Sequence, residues 1–154
     1  DENGRKVKGL REINGKIYYF SDGPESRYGH YYDQVRGLLV NPYNENYYNS
    51  TSKAAPTYFF DAETGAALTN QFFNWEGDWY YFGPDGKALI FDQVINGQHL
   101  YFRNNGKQVK GQFISDYKGT RYYDENSGEL VTNQTRTING VTYLFDENGR
   151  PTQL

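Results

Sequence analysis

Short aromatic runs and polar turn residues alternate along this chain with a repeat of about 21 positions, and the unit is a hairpin. Five copies are intact: INGKIYYFSDG from Ile13, WEGDWYYFGPDG from Trp75, INGQHLYFRNNG from Ile95, YKGTRYYDENSG from Tyr117 and INGVTYLFDENG from Ile138. TYFFDAETG from Thr57 keeps the second half only. The last ring of each triplet falls at Phe20, Phe60, Phe82, Phe102, Tyr123 and Phe145, at intervals of 40, 22, 20, 21 and 22 residues. Asn14-Gly15, Asn96-Gly97 and Asn139-Gly140 sit between β-prone runs and supply the two positive φ angles of a type I′ turn, with Glu76-Gly77 and Lys118-Gly119 in the same place. Each unit therefore reads strand, tight turn, strand, wider Gly-closed turn. No segment sustains a 3.6-residue apolar period, so no helix is predicted.

A lone hairpin is marginal in water, and copies at a fixed period bury their rings on one another. The expected fold is all-β, a β-solenoid of stacked hairpins. Residues 1–9 read as the end of a preceding repeat and 10–154 as the array. The stretch 24–56 breaks the pattern and is read as a degenerate repeat with an insertion. The start of the chain inside a repeat gives it the look of a piece of a longer protein.

Alternation along a strand puts the first and third residues of the triplet on one face. The third position almost always lacks a hydroxyl and is assigned to the core, so the middle position, Tyr19, Phe59, Tyr81, Tyr101, Tyr122 and Leu144, is expected to face outward. Two residues before it, on the same face, stand Ile17, Thr57, Trp79, His99, Thr120 and Thr142. Gln71, Gln93, Gln112 and Gln134 form a second column six or seven residues after the closing Gly.

Composition sharpens the class. Aromatics make up 18% of the 154 residues while all hydrophobic residues reach only 36%, which describes a limited core built from rings. The net charge of −3 with scattered basic residues removes the footprint of a nucleic-acid binder. No apolar run is long enough to insert in a membrane as a helix. Cys is absent, and two His make no metal cluster. The recurrent acids, Asp22, Asp61, Asp85, Asp124 and Asp146, fall in turns where Asp bonds its own backbone, rather than paired across a cleft as glycoside hydrolysis requires. A non-catalytic module without cofactor, acting as a monomer on a neutral partner, is expected.

A flat ring beside an uncharged amide suits a sugar: the ring meets the apolar C–H face of a pyranose and the amide meets its hydroxyls. The same residues also fit a purely structural role, rings packed between turns and Gln bonded to backbone. INGKIYYFSDG, INGQHLYFRNNGKQVKGQ and INGVTYLFDENG resemble the YYF-type cell-wall and glucan-binding repeats in the glucan-binding region of glucansucrases from lactic acid bacteria and streptococci, with choline-binding and clostridial-toxin repeats as relatives. That resemblance implies a secreted or extracellular module, possible attachment at the cell surface, and an α-glucan or isomalto-oligosaccharide partner. It assigns binding to Trp79, Tyr81, Gln93, His99, Tyr101, Lys110, Gln112, Thr120, Tyr122 and Gln134. The rival implications are choline binding with cell-wall anchoring, or a toxin-like receptor-binding array. In choline-binding relatives a Trp fills the column that holds Gln71, Gln112 and Gln134 here, and this chain has only Trp75 and Trp79.

Overall fold

The computed structural model describes residues 9–21, 33–42 and 57–154, and they form strands and turns without helix. The chain divides into two compact units, Asp1–Leu89 and Ile90–Leu154. Unit 1 holds the hairpins β1 (Gly9–Ile13) with β2 (Lys16–Ser21) and β6 (Gln71–Trp75) with β7 (Asp78–Phe82). Between them, the two-residue strand β3 (Asp33–Gln34) pairs with β2, and β4 (Leu38–Val40) pairs with β5 (Tyr58–Phe60). Residues 24–32 and 43–56, with the tyrosines at 28, 31, 32, 43, 47 and 48, lie outside the described residues, as do residues 1–8. Unit 2 holds β8 (Phe91–Ile95) with β9 (Gln98–Phe102), β10 (Gln112–Asp116) with β11 (Gly119–Tyr123), and β12 (Gln134–Ile138) with β13 (Val141–Phe145) and β14 (Pro151–Gln153). Every pairing is antiparallel.

The turn chemistry explains the register. Asn14, Glu76, Asn96 and Asn139 take φ of 51–52° and the following Gly residues 77–88°, the left-handed pair that matches the twist of a two-residue hairpin. At Lys118-Gly119 only the Gly is left-handed, at 103°, and Asp116 Oδ1 accepts the Lys118 N–H at 2.9 Å instead.

Each hairpin is larger than the two strands expected. After the closing Gly the chain folds back along the triplet strand, with single bridges Phe60 to Ala67, Phe82 to Ala88, Phe102 to Gln108 and Tyr123 to Leu130. The last copy extends this contact into β14. The same segment reaches the hairpin before its own: Ala67 N–H donates to Ile17 O, Ala88 N–H to Thr57 O and Leu130 N–H to His99 O, each at 2.8 Å. Backbone bonds of this kind stack repeat on repeat within each unit.

The core follows the repeat. Phe60, Phe82, Phe102, Tyr123 and Phe145 are almost wholly buried, as their place at the end of the triplet predicts, whereas Phe20 is half-buried. In unit 1, Tyr19, Tyr58 and Phe60 stack at 5.8–5.9 Å, and Val35 and Val40 complete their cluster. In unit 2, Tyr122, Val131 and Phe145 form one cluster and Tyr101, Val109, Ile114 and Tyr123 another.

Candidate functional site

The fold-back segment changes which rings reach solvent. Tyr101 is 9% and Tyr122 5% exposed, and Tyr19 and Phe59 are buried as well, so the outward face expected for the middle position is corrected. Val109 N–H donates to Tyr101 O at 2.8 Å and Val131 N–H to Tyr122 O at 3.0 Å, which lays an extra segment over the flank that a two-stranded hairpin would leave open. Tyr101 tilts against Tyr123 at 5.7 Å, and Tyr122 against Phe113 at 4.9 Å. Tyr81 is half-buried, edge-on to Phe72 at 4.8 Å, and Leu144 is exposed. Tyr122→Ala should therefore lower stability by about 3 kcal/mol in urea unfolding, the cost of a cavity where a large ring was packed. Tyr122→Phe, which keeps the ring, should cost less than about 1 kcal/mol.

Two positions earlier the side chains do reach water. Trp79, opposite Asn74, is 40% exposed; His99, opposite Val94, is exposed; Thr120 is half-buried and shares a hydroxyl bond of 2.8 Å with Ser115 across the strand pair.

The glutamine column is partly as expected. Gln71, Gln112 and Gln134 pair opposite the last ring of their triplets, at Phe82, Tyr123 and Phe145. In the β8 copy that place belongs to Phe91, opposite Phe102, while Gln93 stands mid-strand opposite Leu100. The amides are engaged locally: Gln71 Nε2 donates to Thr69 O at 3.2 Å, Gln93 Nε2 to Ile90 O at 2.8 Å and Gln134 Nε2 to Thr132 O at 3.1 Å. Gln112 Oε1 accepts from Arg103, and Gln134 Oε1 from Arg136 Nε at 3.0 Å.

Lys110 belongs to a recurring motif whose docking on a turn escaped the sequence reading. Gln34-Val35-Arg36-Gly37 and Gln108-Val109-Lys110-Gly111 are the same motif in the two units, each laid against a turn of Asp-x-x-Thr/Ser-Gly type. Arg36 Nη1 donates to Glu63 O at 2.5 Å, and Lys110 Nζ to Asn126 O at 3.2 Å. Asp61 Oδ1 accepts the N–H groups of Glu63 and Thr64, and Asp124 Oδ1 those of Asn126 and Ser127. The amide of Gln34 lies so near Gly65 that a Cβ there would come within 2.7 Å of Nε2, and Gln108 crowds Gly128 in the same way. The motif's recurrence was visible in the sequence. Its pairing with the turn was not.

Unit 2 also carries a charged cluster. Arg121 occupies the first triplet position, where other copies have Tyr18, Tyr58, Tyr80, Leu100 and Tyr143, and it is 4% exposed. Its guanidinium donates to Asp116 Oδ1 at 2.8 Å and Oδ2 at 3.1 Å, to Asp92 Oδ1 at 3.3 Å and to Gly119 O at 3.0 Å. Tyr123 Oη donates to Asp92 Oδ1 at 3.3 Å, and Lys118 Nζ holds Asp92 Oδ2 at 3.1 Å. The hydrogen bonds from Arg121 hold Asp116 down to a pKa of about 2. Backbone N–H donors from Ser127 and Asn126 do the same for Asp124, also about 2. Burial pushes Tyr80 up to about 12. Among the described residues no group of His, Cys, Asp and Glu is arranged to hold a metal, and no helix is long and apolar enough to cross a membrane.

Rings, amides and paired charges set in hairpins at this period match known repeats. Residues 93–134 fit the model of the choline-binding repeat and residues 70–88 that of the cell wall binding repeat. Glucosyltransferase-I of Streptococcus downei is 45% identical over 150 residues, covering 96% of this chain and 8% of the relative. The chain carries choline-binding and cell wall binding repeats and is homologous, over nearly its whole length, to a segment of streptococcal glucosyltransferases. Glucosyltransferase-S of Streptococcus mutans serotype c is 34% identical over 97% of the chain and 9% of its own length. The chain thus spans about a tenth of the curated relatives it matches. The crystal structure of choline binding protein F from Streptococcus pneumoniae superposes with a TM-score of 0.66 over 95% of this chain and 45% of that one, at 22% identity. These repeats therefore share the all-β hairpin-solenoid fold of the choline-binding repeats.

Proposed function

We propose that the chain is a non-catalytic carbohydrate-binding module that holds α-glucan, of the dextran type, as part of a secreted glucansucrase. The observation that carries this reading is the 45% identity, over nearly the whole chain, to a segment of an enzyme named for glucosyl transfer. The chemistry of the exposed and half-buried positions agrees. Trp79 with Tyr81 in unit 1, and His99, Thr120, Lys110, Gln112 and Gln134 in unit 2, offer apolar ring surface and uncharged or singly charged hydrogen-bonding groups, which suit a neutral polyol. Tyr101 and Tyr122 contribute through ring edges and hydroxyls rather than open faces, given their burial. Binding outside the cell, at glucan or at the wall, follows from the same homology.

Choline is disfavoured by ring supply. A quaternary ammonium is held by an aromatic cage, best built from Trp, and Trp75 is packed against Phe59 at 5.1 Å. Trp79 is 40% exposed, and the column in which choline-binding relatives carry Trp holds Gln71, Phe91, Gln112 and Gln134 here. Affinity electrophoresis of the chain in gels containing dextran, mutan or starch, beside calorimetric titration with choline, tests the reading. Retardation by dextran with no heat of choline binding is expected. Choline binding, or retardation by none of the three polysaccharides, rejects it.

A further inference from the structure

Where the chain enters each hairpin, one residue takes a left-handed backbone. It is Gly9 at φ 86°, Gly37 at 67°, Asn70 at 53°, Gly111 at 64° and Asn133 at 52°, the residue types that tolerate that region. In the β8 copy it is Phe91, at 61°. A bulky aromatic there is strained, because its Cβ crowds the adjoining carbonyl, and strain of this kind persists where the side chain serves a purpose.

Burial does not supply that purpose, because Phe91 is 46% exposed. One part of the ring tilts on Tyr101, at 6.2 Å and 46°, and the remainder is open to water. The position is the ladder site that carries Gln71, Gln112 and Gln134 in three copies and Gly9 and Leu38 in two others, and among these described copies only the β8 copy places a ring there.

We propose that Phe91 is a stacking platform for a glucopyranose ring of the glucan chain, a binding residue peculiar to this copy; the proposal rests on the glucan reading above. An exposed phenyl face matches the apolar C–H face of a pyranose. Exposed His99, two residues before Tyr101 and on the face that the Phe91 ring touches, supplies a hydrogen-bonding group within the same hairpin, while Gln93 stands on the other face with its amide bonded to Ile90 O at 2.8 Å. A cationic ligand fits less well. The neighbouring carboxylate, Asp92, is already matched by Lys118 Nζ at 3.1 Å and Arg121 Nη2 at 3.3 Å, which leaves little net negative charge beside the ring.

The test is a pair of substitutions that relax the backbone while removing the ring, Phe91→Asn and Phe91→Gly, with Phe91→Tyr as the variant that keeps it. Dextran affinity is read by gel retardation and stability by thermal unfolding. Phe91→Asn and Phe91→Gly should weaken dextran binding roughly fivefold, the size of one aromatic contact, with a midpoint of unfolding equal to or above that of the parent. Phe91→Tyr should bind as the parent does. Unchanged dextran binding in the Asn and Gly variants overturns the proposal while leaving the glucan reading intact. A fall in stability that accompanies lost binding overturns it too, since the ring would then be core. A parent chain that dextran does not retard rejects the glucan reading, and this inference with it.

Discussion

Arg121→Ala should destabilise unit 2 by about 3 kcal/mol, at the lower end of what breaking a buried ion pair costs because Asp116 and Asp92 keep some access to water. The loss comes mainly from what stays behind, two carboxylates and the Tyr123 hydroxyl arranged around a vacated cation. Replacing Arg121 and Asp116 together should behave differently. Other copies place Tyr or Leu at the position of Arg121, and Ile13, Trp75, Ile95 and Ile138 at that of Asp116. The double variant Arg121→Tyr with Asp116→Ile restores an apolar pair, and its stability should lie within about 1 kcal/mol of the parent, because a well-packed apolar pair can replace a buried ion pair at little cost.

Acid separates the two further. Asp116 is held below its ordinary pKa in the folded chain, so its contribution is complete above the unfolded value near 4 and is lost as the pH falls toward about 2. The parent's unfolding midpoint should drop steeply across that window. The double variant should drop less, retaining the slope due to Asp124 and Asp61, both held below the ordinary value by backbone N–H donors. Urea and thermal unfolding at pH 7, 4 and 2.5 read both effects. An Arg121→Ala chain as stable as the parent would show that the cluster contributes nothing.

The second large effect concerns the ligand's length. Repeats within each unit offer similar exposed groups, so a polymer bound at one pocket presents its next glucose units to others at high effective concentration. Apparent affinity for dextran should exceed that for isomaltotriose by about 10²-fold or more, with no contact that the trisaccharide lacks. Competition checks this: isomaltotriose should displace the chain from dextran only at a large molar excess of glucose units. The margin should narrow as Trp79, Phe91 and Gln112 are replaced in turn.

The period, the Asn-Gly turns and the burial of the last ring were legible in the sequence because each has a strong local cause. Asn14, Asn96 and Asn139 dictate a left-handed turn, and Phe82, Phe102 and Phe145 recur on one face of a strand. The fold-back segment was not legible. Ala67, Ala88, Gln108 and Leu130 each make a single bridge, too short a pairing to leave an alternating pattern, and its consequence, the burial of Tyr101 and Tyr122, was lost with it. Arg121 in a ring's slot reads as surface until Asp92 and Asp116 are seen around it. The glutamine column misses the ladder site of the β8 copy because the link from the closing Gly86 is one residue shorter than in the copies of Gln71, Gln112 and Gln134, which puts Phe91 there.

Calorimetric titration of the intact chain with isomaltotriose bears most directly on the claim that these repeats form an array of weak glucan pockets. The expected result is weak binding with more than one trisaccharide per chain, together with a far tighter apparent affinity for dextran. A single site of equal affinity for trisaccharide and polymer, or no heat with either, would contradict it.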